Sequence, residues 1–163
     1  MRRVIRLAAP VLITLAMAAC HPQPEAAVEN APAHVAPPSS AADSHAWETY
    51  MVSVSHADLK SVSAKPYLFE VLAKSDPQAS QRNLNIQQVL TMMAKSNRFP
   101  GNAIAVAGPD PGATADVLAA AFGAAKPNSL QGLTVLYIGD TNDKDRAEKV
   151  ITTSGAAFRF VAM

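Results

Sequence analysis

Two stretches of this chain begin and end on glycine, are apolar between, and run straight into a helix-starting sequence. Residues 101–108 read GNAIAVAG and are followed by Asp110-Pro111-Gly112; residues 132–139 read GLTVLYIG and are followed by Asp140, Asn142 and Asp143. A short apolar run between turn formers reads as a strand covered on both faces. Asp110 is a good N-cap, and Pro111 suits the first helical position, where its missing N–H costs nothing. Val117, Leu118, Ala121 and Phe122 then supply a buried stripe that ends near Gly123. In the second unit Asn142 is the expected N-cap, Ala147, Val150 and Ile151 form the stripe, and Gly155 ends the helix. Strand–helix alternation at this spacing calls for βαβ units and a parallel sheet. The units start 31 residues apart, a similarity that any two βα units would show, so no duplication is implied.

The flanks fit the same scheme. Residues 67–72 (YLFEVL) are aromatic and β-branched enough for a strand, with Pro66 at its start. After a turn at Lys74-Ser75-Asp76-Pro77, a helix is expected over 79–97, with Ile86, Leu90 and Met93, and Val89 beside them, as its apolar face; Phe99-Pro100-Gly101 stops it. Residues 157–162 (AFRFVA) make a last strand, in which Arg159 between Phe158 and Phe160 suits a place near an edge. Upstream, Trp47, Tyr50, Met51 and Val54 fall at helical spacing, while Tyr50, Val52 and Val54 also alternate as a strand would. The helix is preferred, with Trp47 as a packing residue. The expected fold is α/β: a small three-layer sandwich over 45–163, with a mainly parallel sheet of about four strands and right-handed crossovers.

Ahead of this domain stand Arg2, Arg3 and Arg6, then an apolar run over 7–19, then Cys20. A basic start, a short apolar run and small residues at its end make an export leader. The run has 13 residues, whereas a membrane-spanning helix needs about 20. Met17-Ala18-Ala19-Cys20 resembles the lipobox of bacterial lipoproteins. The resemblance covers the leader only. It implies a signal peptide over 1–19, diacylglycerol on the Cys20 thiol, cleavage just before that residue, and acylation of the new amino group. His21, where aspartate is absent, implies sorting to the outer membrane. Ala16-Met17-Ala18 also suits ordinary signal peptidase, which would leave a free secreted chain. Cys20 is the single cysteine, so no internal disulfide is possible, and lipidation explains a lone thiol in an exported chain.

Residues 21–44 hold five prolines and almost no large apolar side chains. They cannot bury enough surface to offset ordering entropy and are expected to form a disordered tether. Such a tether reaches roughly 27 Å as a coil and roughly 75 Å when extended. Of 14 basic residues three lie in the leader, which has none of the 13 acidic ones; the remainder, 11 against 13, carries a net charge of −2. No basic cluster is visible along the sequence, so nucleic acid is not an expected partner.

In open parallel sheets ligands bind beyond the carboxyl ends of the strands. That edge should present Asp76, Asp110, Asp140 and Asp143, which would suit a divalent cation if they converged. The competing reading is that each simply caps a helix or turn. The 108–114 loop lacks a phosphate-binding lysine, and Pro109 and Pro111 remove N–H groups that a phosphate needs. His21 and His34 lie in the tether and His45 and His56 in the opening segment, none after a predicted sheet strand; Ser61, Ser63 and Ser75 have no evident base. No GxSxG elbow or HExxH motif occurs. No cofactor or metal is therefore expected, and a binder is favoured over an enzyme. The leading expectation is a lipid-anchored envelope protein, outer-membrane and facing the periplasm, whose domain meets a protein partner in an envelope or secretion assembly. The alternatives are an immunity-type lipoprotein neutralising a periplasmic toxin, and a periplasmic small-molecule binder or enzyme using the acidic edge.

Overall fold

The computed structural model of the chain describes residues 35–62, 65–96 and 101–163. The leader, Cys20, tether residues up to 34, Ser63 and the Phe99-Pro100 stop lie outside them. The elements run α1 (Ser44–Asp58), β1 (Tyr67–Glu70), α2 (Ala79–Ser96), β2 (Ala103–Ala107), α3 (Pro111–Gly123), β3 (Thr134–Gly139), α4 (Thr141–Thr153) and β4 (Ala157–Ala162). The four strands are all parallel, in the order β1-β2-β3-β4. The chain is thus the α/β sandwich its patterning demands.

Strand order decides the layers. Each crossover steps to the next strand in the same direction, and crossovers of one hand then put their helices on one face. Accordingly Leu90 and Met93 of α2, Leu118 and Phe122 of α3, and Ala147 and Ile151 of α4 share a core with Ile104, Val106, Val135 and Tyr137. The opposite face is left to α1. There β2 offers only Ala103, Ala105 and Ala107, all fully buried. Their small side chains leave room for Trp47, Tyr50, Met51 and Val54, which pack with them and with Leu136, Ile138 and Val161. The Trp47 and Tyr50 rings meet edge to face at 5.7 Å, and Trp47 Nε1 donates to the Ser40 carbonyl at 3.1 Å. The preceding segment is thereby pinned to the helix, which Asp43 caps by accepting from the Ala46 N–H.

Four local expectations are corrected. Asp140, not Asn142, caps α4, because the helix starts at Thr141 and its carboxylate reaches the Asn142 N–H at 2.7 Å. Ser154 occupies the C-cap, and Gly155 follows it with φ +92°, the left-handed turn that ends the helix. Val89 is exposed, since the buried stripe of α2 runs through Leu90, Met93 and Ala94 with Ile86 at its margin. β1 stops at Glu70 although the Val71 N–H still donates to the Ala107 carbonyl at 2.8 Å.

Candidate functional site

The carboxyl edge of the sheet, where a ligand would be sought, holds two arrangements. Over β2 and β3 the acidic residues are occupied by local structure. Asp110 caps α3, its Oδ1 accepting from the Ala113 N–H at 2.9 Å, and Oδ2 accepts from the Lys74 N–H at 3.3 Å. Asp140 caps α4 as described, and Asp76 closes its own turn by accepting from the Gln78 N–H at 2.7 Å. Asp143 takes the Arg146 guanidinium at 2.8 Å. Asp116, one turn into α3, joins the set: it accepts from Lys74 Nζ at 2.8 Å and from Arg146 at 2.5 Å. The chain Lys74–Asp116–Arg146–Asp143 is neutral and ties the loop after β1 to α3 and α4. Hydrogen bonds from Lys74 and then Arg146 hold the Asp116 carboxyl below the usual range, and Asp116 in turn raises both bases. The pairs are exposed and screened by solvent, so they add little to stability.

Asp110 and Asp143 both lean over Gly112, where an added Cβ would lie 3.4 Å from one carboxylate and 3.9 Å from the other. Among the described residues, no three His, Cys, Asp or Glu side chains are placed to hold a metal ion. Beneath this surface Tyr137 is fully buried and donates to the Pro111 carbonyl at 3.2 Å. Burial, reinforced by the Asp143 charge, pushes its phenol up to about 12. Its ring folds back over Gly139, where a Cβ would fall 2.2 Å from ring atoms.

The second arrangement stands beside the carboxyl end of β1. A cleft of about 350 Å³ is lined by Ser44, His45 and Glu48 of α1, Leu68 and Glu70 of β1, and Arg82 of α2. The Glu70 side chain is only 10% exposed; Oε2 lies 3.6 Å from Arg82, and Oε1 is buried without a hydrogen-bond partner. Burial raises the Glu70 carboxyl above the ordinary value; Arg82 and Ser44 oppose the rise, and Glu48 and Asp76 add to it. A folded-state rise means that ionising Glu70 works against the fold. Stability from this residue is full below the ordinary glutamate range and falls as pH rises through it and on to the raised value. Glu70→Gln should therefore melt higher than the parent at neutral pH, with the gap closing in acid; a gap that widens in acid would contradict this.

No sequence signal marked Glu70 as different from any strand-end glutamate, and Asp116 sits mid-helix where an acid is ordinarily solvated. His45 does line the cleft, His56 lies in the last turn of α1, and Ser61 accepts from Arg159 at 2.6 Å. In comparisons with known proteins, the chain matches no family model, no curated protein and no solved structure.

Proposed function

We propose that this chain is an exported lipoprotein, anchored through Cys20, whose α/β domain works in the envelope by protein contact. The observation that carries the contact reading is the outward face of α2. Leu84, Val89 and Met92 are exposed there, Met92 by 63%, among the uncharged Gln81, Asn85 and Gln88. Interface centres are depleted in charge and enriched in methionine, and this face has that composition. The carboxyl-edge acids support the same reading, because caps and ion pairs already occupy them. No helix among the described residues is long and apolar enough to cross a membrane, so attachment is assigned to the lipid.

The test is a photo-reactive amino acid placed at Met92 in cells, with Lys149 on α4 as the control position. One discrete adduct from position 92 and none from 149 is the expected result; identical smears from both would refute a specific contact through α2. The small-molecule alternative is favoured by one feature, the buried, part-unpartnered Glu70 in its cleft.

A further inference from the structure

The fold gathers acidic residues at the carboxyl edge of the sheet, where Lys74 and Arg146 pair with some of them, and leaves a set of bases at the amino edge. Asp76, Asp110, Asp140 and Asp143 all follow strands or start helices, and so lie at the carboxyl edge. The amino edge is built from the connections before each strand and from the last helical turns that feed them. Lys60 and Lys65 come from the α1–β1 connection, Lys95 from the end of α2 and Lys126 from just beyond α3; all four are exposed. His56 joins them from the last turn of α1. Among the described residues the single carboxylate at this edge is Asp58, which is half-buried.

Helix dipoles alone do not account for the set. A cation is favoured at a helix C-terminus, which suits Lys60 and Lys95. Yet α3 and α4 have no base in their last turns, and Lys65 precedes a strand. The scarcity of acids at this edge follows the same dipoles, which disfavour an anion at a helix C-terminus.

The lysines also flank clefts. One, of about 330 Å³, has Lys60, Lys65 and His56 against Leu59 and Pro66. It adjoins a largely apolar one of about 390 Å³ that includes Val52 and Leu68. Ser55 lines both and is 2% exposed, with its Oγ unpartnered. Lys95 and Lys126 flank a further cleft of about 490 Å³ with Ser129.

We propose that the amino edge docks on an anionic lipid surface, with Lys60, Lys65, Lys95 and Lys126 meeting headgroup phosphates. The proposal rests on the anchored reading. The lipid on Cys20, a diacylglycerol and an amide-linked acyl chain, holds the chain at the membrane by itself; the lysines, attracted to an anionic surface, set which edge of the domain meets it. The geometry allows it. The domain is entered at the start of α1, near the carboxyl end of β1, so the chain from Cys20 must pass the length of that helix, about 22 Å. The 19 residues from His21 to Ser39, ahead of the pinned Ser40, can span up to about 65 Å. Docked in this way, the domain turns its acidic edge away from the lipid.

The test uses the full chain, recovered in its processed form and reconstituted into vesicles of phosphatidylcholine alone or with about one part in three phosphatidylglycerol. Lysines are labelled with a water-soluble acylating reagent and the sites read by mass spectrometry. On anionic vesicles Lys60, Lys65, Lys95 and Lys126 should label about threefold or more slowly than on neutral ones, while Lys74 and Lys144 at the opposite edge do not change. High salt should erase the difference, and a Lys65→Glu/Lys126→Glu variant should restore labelling at Lys60 and Lys95. A chain anchored to both vesicles and labelled alike overturns the docking edge and leaves the anchor intact; protection that appears only with envelope proteins present does the same. A chain that binds neither vesicle overturns the anchor and the docking with it.

Discussion

Val106→Asp is expected to leave no folded domain. Val106 is central in β2, fully buried, and faces the core shared by α2, α3 and α4. Its neighbours across the strands are Phe69 and Tyr137, neither of which can compensate a charge. A buried, unpaired carboxylate costs more than about 4 kcal/mol, a large part of the 5–15 kcal/mol that holds a typical domain. The variant should show no cooperative thermal transition by circular dichroism. Leu136→Asp is the informative companion. It is as deeply buried, on the α1 face, but its partner in β4 is Arg159. That guanidinium is already bonded to the Asp58 carbonyl and the Ser61 hydroxyl, and can turn to a new carboxylate only by releasing them. The companion should be strongly destabilised yet less so than Val106→Asp. A cooperative melt near the parent temperature for Val106→Asp would mean that the sheet is misassigned.

Cys20→Ala is expected to remove the chain from the membrane fraction. The anchored reading places all the lipid on Cys20, at its thiol and its amino group, and among the described residues no helix is long and apolar enough to span a bilayer. The basic amino edge is an electrostatic hold, which salt screens within a few ångströms at 1 M. At high salt the variant should therefore be soluble and take up no labelled fatty acid. A variant that still sediments with membranes at high salt would show that something other than Cys20 holds the chain.

The core of the fold was legible because its signals are local. The glycines that close β2 and β3 are required by close approaches, and Gly101 and Gly132 ahead of them by positive φ. A Cβ on Gly108 would fall 1.9 Å from the Val71 carbonyl oxygen, and one on Gly139 would strike the Tyr137 ring. Asp110 and Pro111 started α3 as their chemistry suggests. The opening segment fitted two periods, and burial separates them: Trp47, Tyr50, Met51 and Val54 are inside while Val52 is 51% exposed, which is the helical pattern. Strand order was not legible, because it depends on which way each crossover steps. The carboxyl-edge lattice was not legible either. Asp116 meets Lys74 from 42 residues away and Arg146 from 30, and no window along the chain contains such a set. The amino-edge lysines escaped for the same reason: they come from three separate connections and form a patch only after folding.

Whether Cys20 anchors the chain is read directly from the N-terminal residue of the mature protein, by mass spectrometry of the purified chain. A first residue of Cys20 bearing diacylglycerol and an amide-linked acyl chain is the predicted result. A chain that begins at Ala19 with an unmodified Cys20 thiol, or one that still carries Met1 and its leader, would contradict it.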